Sequence, residues 1–415
     1  MKVKRSKSLN IQSFRVESMS EATLEYKRNY INCLTHSHTL KIAFIIPNFL
    51  PFGGNSRTVM TYIENFADSA DSILLIESYG ISETDDQSVN KLKTIKNLRI
   101  MQSRVKWYKL VDFSRSVKHG EFLHYLFYPF LSSLKRLLNG KVRREVKDFD
   151  AIYLFDITDA PIFSKGSKNT ILGTHNQRMS RIKAILIDKG FFLPSIFALR
   201  LFPNESSFAE IIKTKKVFVI PKGTDTNLFF PKKLNRGNVI KFLYVARLEP
   251  KKGFETLLGA WKQLDKRNDC ELHIAGSGSL SSLITENDFA NLKYHGELRR
   301  SDLADLYSNS DYFVFPTDWD AQPSVIIEAV SSGLVCLVSE SMKGSLDDLE
   351  NECFVQYIKN DVNSFIMALE NAVKKGPPTW EIKQQMHAYI QAHRSLEIEV
   401  AGLKEAFTYA SGRRH

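Results

Sequence analysis

The sequence lacks any run of about 18 consecutive apolar residues, which a transmembrane helix requires, although 43% of its 415 residues are hydrophobic. Its basic first residues, Met1 to Arg15, also lack an apolar segment followed by a small-residue cleavage site, which a secretory signal requires. A membrane-spanning or secreted protein is therefore not expected. We expect the chain to stay in the cytoplasm.

Cysteine is scarce and scattered in this chain. Its four cysteines form no Cys-x-x-Cys pair and stand beside no histidine cluster, so neither a zinc site nor a disulfide framework is indicated. We expect these thiols to be reduced and structural. The four residues are Cys33, Cys270, Cys336 and Cys353.

Acidic residues are outnumbered by basic ones, 46 to 57, and the formal net charge is +11. Such a charge attracts polyanions, which include nucleic acid, anionic lipid and phosphorylated substrates. We do not expect nucleic-acid binding, because the chain has no recognisable nucleic-acid recognition module.

The stretch from Arg104 to Lys147 mixes cations with aromatic residues. This mixture is typical of a surface that faces an anionic membrane, and a helix with a solvated basic face explains it equally well.

The length favours two domains of about 150 to 200 residues each. Apolar runs of strand length alternate with helical segments in two successive series. The first series contains KIAFIIPNF from Lys41, SILLIE from Ser72, AIYLF from Ala151, NTILGT from Asn169 and KVFVI from Lys216. The second contains KFLYVA from Lys241, ELHIA from Glu271, LKYHG from Leu292, YFVFP from Tyr312 and VCLVS from Val335. The pattern predicts two doubly wound α/β domains with parallel strands buried on both faces.

The segment from Pro221 to Asn238 is rich in turn formers and charge, and it separates the two series. Doubly wound domains bind ligands at the carboxyl ends of their strands, so we expect the two domains to face each other across a cleft. The predicted organisation is a basic N-terminal extension over 1–40, an acceptor-side domain over 41–221, a donor domain over 222–378 and a closing helix over 379–415.

The loop ARLEPKKGF, which follows the first strand of the second series, carries two cations of interest. Arg247 stands at the end of the strand, and Lys252 precedes Gly253 and a helical segment. A guanidinium, an ammonium group and the free N–H groups of a helix N-terminus together suit a diphosphate. Taken alone, such cations are more often solvated surface charge. The hypothesis therefore depends on the rest of the site.

The segment PTDWDAQPSVIIEAVSSG contains two carboxylates, Asp320 and Glu328, with seven residues between them. The pattern predicts that Asp320 lies in a loop, that Ser324 caps a buried helix, and that Glu328 lies one turn into this helix. Both carboxylates then face one cleft, where Glu328 suits the hydroxyls of a ribose and Asp320 those of a hexose. The alternative is that both only interact with the dipole of the helix.

These segments resemble a known family. The order of VARLEPKKGFETLLGAW, LHIAGSGSL, LKYHGEL and YFVFPTDWDAQPSVIIEAVSSGLVCLVS is similar to the donor domain of retaining GT-B glycosyltransferases of glycosyltransferase family four, the glycosyl transferases group 1. The resemblance covers residues 241–340, and more weakly IPKGTDTNLFFP and the glycine-rich loop PFGGNSRTVM. It implies a GT-B fold, in which two doubly wound, Rossmann-like α/β domains face a cleft.

The resemblance also implies roles for the matching residues of the second domain. Arg247 and Lys252 would hold the donor diphosphate, and Glu328 would bind the ribose. Asp320 would face the transferred sugar, while the backbone of Leu298 would lie near the base. The remaining contacts of this domain would come from the backbone amides around Gln322, Ser324 and Val325.

Three residues of the first domain match weaker parts of the family pattern. His175, which ends the run NTILGTH, resembles the family histidine that lines the sugar pocket. Gly53 and Gly54 would let the backbone approach the donor or the acceptor. Without the resemblance, a histidine at a strand end is more often structural, and a glycine pair is usually only a turn.

Three positions depart from the family pattern. The family's acidic pair normally begins with glutamate, and here it begins with Asp320, which is shorter by one methylene group. Ala321 stands where glycine usually follows this acid, although Pro323 matches many members. Ala246 replaces the strand-end glycine before Arg247. We expect the diphosphate site to be intact, and the position that faces the sugar to differ.

The expected activity is transfer of a hexosyl or related group, with retention of configuration, from a nucleotide-diphosphate sugar to a bacterial cell-surface glycan. The acceptor would be of the lipopolysaccharide core, O-antigen or capsule type, and the enzyme would be peripheral on the inner face of the plasma membrane. The string Asp318, Trp319, Asp320 has the form of a metal site. Because Arg247 and Lys252 already neutralise the diphosphate, we expect neither a metal nor a cofactor.

Two other functions stay open. A catalytically weakened homologue would bind glycans or scaffold a membrane assembly, as the shortened Asp320 suggests. A sugar-nucleotide epimerase shares the two-domain architecture, but it needs acid and base groups around the sugar that this chain does not offer.

Overall fold

The computed structural model of the chain describes residues 40–46, 54–77, 92, 94–102, 137, 139–155, 168–174, 196–199, 216–233, 237, 239–318, 320, 323–343 and 346–412. All of the predicted N-terminal extension except Leu40 lies outside these residues, as does most of the basic aromatic stretch from Arg104 to Lys147. The described part of the chain contains two parallel β-sheets with helices around them.

The first sheet has seven strands, and all its neighbouring strands pair in parallel. The strands are β1 (Leu40–Ile46), β2 (Ala70–Glu77), β3 (Leu98–Gln102), β4 (Ala151–Leu154), β5 (Thr170–Thr174), β6 (Ile196–Leu199) and β7 (Lys216–Val219). Their order in the sheet is β3-β2-β1-β4-β5-β6-β7. Helix α1 (Gly54–Phe66) follows β1, and α2 (Gly140–Glu145) precedes β4. The order reverses between β1 and β4, as in a doubly wound domain.

The second sheet has six strands, again all parallel. The strands are β8 (Ile240–Val245), β9 (Cys270–Ala275), β10 (Leu292–Tyr294), β11 (Tyr312–Phe315), β12 (Val335–Ser339) and β13 (Val355–Ile358). Their order is β10-β9-β8-β11-β12-β13, so the reversal lies between β8 and β11. The helices of this part and of the C-terminus are α3 (Phe254–Trp261), α4 (Ser282–Glu286), α5 (Arg300–Ser308), α6 (Ser324–Ser331), α7 (Asp347–Asn351), α8 (Val362–Lys375), α9 (Trp380–His393) and α10 (Leu396–Ala410).

The strands that the sequence predicts are the ones with continuous apolar runs. In β1 only Lys41 is exposed, and all of β11 and β12 is buried. Parallel sheets covered on both faces need such strands. The sequence analysis does not predict β3, β6 and β13, which are short. β3 and β13 are also outermost strands, and partly polar outermost strands give a weak hydrophobic signal.

Each sheet has its own hydrophobic core. The core of the first sheet includes four residues of α10, although this helix follows the whole second sheet in the sequence. The chain therefore passes from the first lobe to the second after β7 and returns after α9. The four residues are Leu403, Ala406, Phe407 and Ala410.

The closing helix expected over 379–415 is corrected to two helices, α9 and α10. Between them the backbone pairs with the interlobe segment instead of continuing a helix. The N–H of Thr224 donates to the carbonyl of Arg394 at 3.0 Å, and the N–H of Leu396 donates to the carbonyl of Thr224 at 2.8 Å. Because each backbone group needs a partner, this pairing across the lobes ends α9 and restarts the helix as α10.

Two further expectations concern membranes and thiols. Within the described residues, no helix is both long enough and apolar enough to cross a membrane. Cys270 and Cys336 are free and buried, and Cys353 is free and exposed. Burial raises the pKa of the Cys270 thiol to about 11, which makes it a poor nucleophile. Cys33 lies outside the described residues.

Candidate functional site

The candidate site lies at the carboxyl ends of β8 and β11. These strands are neighbours at the point where the strand order of the second sheet reverses. Helices leave opposite faces of a doubly wound sheet at this point, which opens a crevice where ligands bind. Arg247 and Lys252 follow β8, and Asp320 follows β11.

The two loops that leave these strands are joined through their backbones. The carbonyl of Lys251 accepts hydrogen bonds from the Thr317 hydroxyl and from the Asp318 N–H, each at 3.1 Å. Gly253 has a φ of +69°, and a Cβ at this position would lie 1.7 Å from the carbonyl oxygen of Pro316. Only glycine permits this conformation and this approach. The loops therefore form one rigid edge of the crevice.

Lys252 and Asp320 meet across these loops. The Nζ of Lys252 lies 2.7 Å from Oδ2 of Asp320, and the two side chains are 21% and 17% exposed. The ammonium group also lies 5.9 Å from the ring centroid of Phe315, within cation–π range. The position expected to hold a diphosphate and the position expected to face a sugar are thus in direct contact.

Arg247 is more exposed than Lys252. Its side chain is 65% exposed, and its Nη1 lies 2.8 Å from a carboxylate oxygen of Glu249. Such an exposed pair between near neighbours contributes little to stability. The guanidinium therefore keeps donors and freedom with which to bind an anion.

The N-terminus of α6 faces the same edge of the sheet. The structure corrects the expectation that Ser324 caps this helix, because Pro323 is the cap residue and Ser324 is the first helical residue. Proline lacks an N–H and fixes its own φ, so it suits the start of a helix. The N–H groups of Ser324 and Val325, which no helix can bond internally, have no backbone partner among the described residues. Such N–H groups at the start of a helix are suited to an anion.

Glu328 lies one turn into α6, as the sequence predicts. Burial raises the pKa of its carboxyl above the usual range, and this effect exceeds the opposing ones. The opposing effects come from three positive charges and one hydroxyl around the carboxyl: Arg300, Arg57, Lys222 and Tyr307. A half-buried carboxylate near several positive charges is a strong acceptor for vicinal hydroxyls.

Leu298 follows β10, and its side chain packs against the core of the second sheet. The loops beside it are closely packed, because a Cβ on Gly276 would lie 1.9 Å from the carbonyl oxygen of Ala246. The N–H of Gly276 donates to the carbonyl of Gly296 at 2.7 Å, and the Ser277 hydroxyl donates to the Glu297 carboxylate. The loops after β9 and β10 are therefore packed beside the loop after β8, which carries Arg247 and Lys252.

Several candidate residues lie at or beyond the limits of the described chain. Gly54 is the first residue of α1. Gly53, His175 and Gln322 lie outside the described residues.

The site includes residues that the sequence analysis does not single out. Arg57 in α1, Lys222 in the interlobe segment and Arg300 in α5 act electrostatically on Glu328. Arg300 also lies over the ring of Phe229 at 5.6 Å. Arg57 and Lys222 stand inside the two weakly matching segments, PFGGNSRTVM and IPKGTDTNLFFP, where a search for cations near the motifs would have found them.

Asp318 and Asp320, whose spacing has the form of a metal site, have separate partners. Asp318 accepts from the side-chain amide of Asn360 at 3.0 Å, whereas Asp320 contacts Lys252. Across the residues that the structure describes, no group of three or more His, Cys, Asp or Glu side chains is arranged to hold a metal ion.

Residues 225–389 match the family described as Glycosyl transferases group 1. A relative from Escherichia coli, a UDP-Gal:alpha-D-GlcNAc-diphosphoundecaprenol alpha-1,3-galactosyltransferase, is 32% identical over 173 residues. That match covers 37% of this chain and 44% of the relative. The chain therefore matches less than half of the length of this relative.

Solved structures match over most of the chain. The Anabaena protein Alr3699/HepE in complex with UDP and glucose has a TM-score of 0.61 at 15% identity, covering 89% of this chain and 99% of that one. The apo form of WaaB, a lipopolysaccharide outer core galactosyltransferase, has a TM-score of 0.62 at 14% identity, covering 88% and 99%. The likeness shows that the fold is GT-B, as the sequence resemblance implies.

Proposed function

We propose that this protein transfers a sugar from a nucleoside diphosphate to a glycan acceptor. Its residues 225–389 match the glycosyl transferases group 1, and its fold is GT-B. The observation that carries the proposal is the joining of the β8 and β11 loops. This joining brings Lys252 against Asp320 beside the N-terminus of α6, with Glu328 one turn further.

Each donor group has a counterpart in this arrangement. The diphosphate binds Lys252, Arg247 and the free N–H groups at the start of α6, since cations and a helix N-terminus both favour phosphate. The ribose hydroxyls donate to Glu328. The base lies against the loop that contains Leu298, and the sugar lies beside Asp320.

In the proposed reaction the two cations stabilise the charge that develops on the leaving diphosphate, and groups fixed in position before the reaction supply most of this stabilisation. No described side chain at the site is placed as an enzymatic nucleophile, so we favour retention of configuration by attack on the face from which the diphosphate leaves. Arg247 and Lys252 supply the positive charge that a metal ion provides elsewhere. The proposed activity is therefore independent of metal and persists in excess EDTA.

Similar proteins guide the choice of substrates. HepE binds UDP and glucose, and WaaB is named for galactose transfer to lipopolysaccharide outer core. We therefore propose a UDP-hexose as the first donor to test. The proposed acceptor is a bacterial surface glycan or its lipid-linked precursor, which places the enzyme at the inner face of the plasma membrane.

A thermal-shift screen of UDP-, GDP- and ADP-sugars tests the donor site, because a ligand at 100 times its Kd stabilises the folded state by about 2.7 kcal/mol. We expect one nucleotide series to raise the melting temperature. Lys252→Ala and Arg247→Ala should each reduce this rise, and Lys262→Ala, a control at the end of α3, should not. If no nucleotide diphosphate changed the melting temperature, the proposal would be wrong.

The contact between Lys252 and Asp320 also favours a second candidate, a homologue that binds nucleotide sugars without efficient transfer. In that case the sugar-facing carboxylate stays engaged by Lys252. Stabilisation by a UDP-sugar, with neither transfer to a glycolipid extract nor slow donor hydrolysis, would favour this second candidate.

A further inference from the structure

Arg57 is a cation of the first lobe that the proposed chemistry does not yet use. It lies in the first turn of α1, which follows β1 where the strand order of the first sheet reverses. Ligands of doubly wound domains approach this point. The side chain is exposed, and it forms no ion pair or side-chain hydrogen bond with any residue that the structure describes.

The charge of Arg57 reaches groups of the second lobe. It acts on the carboxyl of Glu328 in α6 and on the hydroxyl of Tyr307 in α5. Both residues belong to the second lobe, so the charge of Arg57 acts on the lobe that carries α6.

A buried contact fixes the helix that carries Arg57. The hydroxyl of Tyr62, in the third turn of α1, donates to the carboxylate of Glu399 at 2.5 Å. The same carboxylate lies 3.2 Å from the Nζ of Lys222 and accepts the N–H of Gly223 at 3.0 Å. Since Glu399 is 1% exposed, these contacts are strong and hold α1 against the interlobe segment. Arg57 is thus carried on a helix that is anchored at the crossing between the lobes.

The guanidinium of Arg57 has two candidate anionic partners, the carboxylate of Glu328 and the donor diphosphate. Glu328 is already near Arg300 and Tyr307, and no ion pair joins it to Arg57 in the described structure. In the second lobe, Lys252 and the free N–H groups of α6 are suited to an anion. A guanidinium fork matches phosphate oxygens bidentately, so an unpaired arginine whose charge reaches this lobe completes a phosphate site.

We propose that Arg57 binds the β-phosphate of the donor from the first lobe, opposite Arg247 and Lys252. This inference rests on the proposed function and adds a first-lobe contact to it. During transfer, the bond between the anomeric carbon and the β-phosphate oxygen breaks, and its electron pair stays on that oxygen. The acceptor oxygen forms the new bond, and its proton passes to the leaving diphosphate. Arg57 stabilises the charge that this oxygen gains.

Calorimetric titration of the full chain with UDP and with UMP tests the proposal. The variants are Arg57→Gln, Arg57→Lys and Lys252→Ala. Arg99→Gln is the matched control, because Arg99 is exposed and pairs with Glu145 on the outer part of the first sheet. Circular dichroism and the melting temperature verify that each variant is folded.

We expect Arg57→Gln to weaken UDP binding about tenfold to hundredfold, the usual effect of losing a hydrogen-bonded charge. UMP binding should change less than about threefold, because UMP lacks the β-phosphate. Arg57→Lys should give an intermediate loss for UDP, since it keeps the charge and loses the fork. The Arg99 control should bind both nucleotides as the parent chain does.

The other outcomes separate the failure of this inference from the failure of the proposed function. If the parent chain bound none of UDP, GDP and ADP, the proposed function itself would fail. Should GDP or ADP bind instead of UDP, the same comparison is made with that diphosphate and its monophosphate. If Lys252→Ala weakened the diphosphate and Arg57→Gln did not, only the role of Arg57 would be overturned. Equal losses for diphosphate and monophosphate would mean that Arg57 acts through Glu328 and the ribose, which also overturns it.

Discussion

At the scale of single residues, the contact between Lys252 and Asp320 couples the proposed diphosphate position to the proposed sugar position. The two groups lie 2.7 Å apart, and both are mostly buried. A phosphate that binds Lys252 must therefore compete with Asp320 for the ammonium group. A donor that carries a sugar compensates Asp320 with hydroxyl donors, whereas a free nucleoside diphosphate does not.

Replacing Asp320 with asparagine should separate these two roles. Asp320→Asn frees Lys252, so UDP should bind as tightly as in the parent chain or up to about tenfold more tightly. Sugar transfer should fall, because the carboxylate beside the sugar is lost. Titration with UDP beside a donor-turnover assay measures both effects. Asp318→Asn is the control, since Asp318 contacts Asn360 instead of Lys252. A marked loss of UDP affinity in Asp320→Asn would contradict the coupling.

Glu328 combines a binding role with a cost in stability. Because burial raises the pKa of its carboxyl above the usual value of 4.5, the folded protein holds this proton more tightly than the unfolded chain does. The ionised carboxylate therefore destabilises the fold at pH values above its raised pKa. This cost disappears once the pH falls below about 4.5, where both states are protonated.

Glu328→Gln should raise the melting temperature at pH 7, because it removes the free-energy cost of the ionised carboxylate in the folded protein. Each kcal/mol removed should raise it by about 2–4 °C. The advantage should shrink as the pH is lowered and vanish below about pH 4.5. Calorimetric scans of both proteins between pH 4 and pH 8 measure this difference. A melting temperature for Glu328→Gln below that of the parent chain at pH 7 would show that the surrounding cations outweigh the burial.

At the scale of elements, the turn from β8 into α3 positions Lys252 of the proposed diphosphate site. Its short 3-10 helix, Pro250–Lys252, ends at Gly253 with a φ of +69°. The carbonyl of Pro316, which follows β11, occupies the space where a side chain would stand. This close approach keeps the loops after β8 and β11 in contact and directs Lys252 toward Asp320.

Gly253→Ala should destabilise the protein by about 2 kcal/mol or more, because the added Cβ disfavours this φ and collides with the backbone. It should also weaken UDP binding, since Lys252 must move with the turn. Urea unfolding and titration with UDP measure the two effects. Gly237→Ala is the matched control, because a Cβ there meets no atom within 4 Å. A stable Gly253→Ala variant with normal UDP affinity would mean that the turn does not position Lys252.

At the scale of the whole molecule, one buried carboxylate joins three parts of the chain. Glu399 of α10 contacts Tyr62 of α1 and both Lys222 and Gly223 of the interlobe segment. The side chains of Lys222 and Glu399 are 10% and 1% exposed. The carboxylate therefore fixes the point where the chain crosses between the lobes.

Glu399→Gln should destabilise the protein by about 3–5 kcal/mol, because it removes the charge of a buried carboxylate that lies 3.2 Å from the ammonium group of Lys222. Adding Lys222→Met should recover part of this loss. Asp305→Asn is the control, since Asp305 pairs with Lys232 at the surface and should change stability by about 1 kcal/mol or less. Urea unfolding of the four proteins measures the differences. Equal effects of Glu399→Gln and Asp305→Asn would contradict the role of this carboxylate.

The predicted part of the fold follows from local patterns along the chain. Continuous apolar runs locate β8, β12 and the start of β1 within one residue, because a strand covered on both faces must be apolar throughout. β13 is not found in this way, since it is an outermost strand with exposed Gln356. The single closing helix is wrong because its interruption depends on Thr224, about 170 residues earlier in the chain.

The sequence by itself determined the two α/β series and the places of Arg247, Lys252 and Asp320 after strands and of Glu328 one turn into a helix. Hydrophobic periodicity and loop position are local properties, so they can be read along the chain. The tertiary structure decided which of these groups touch. It placed Lys252 against Asp320 and returned α10 to the first sheet. These contacts join segments far apart in sequence, and packing selects their partners, which local propensity does not encode.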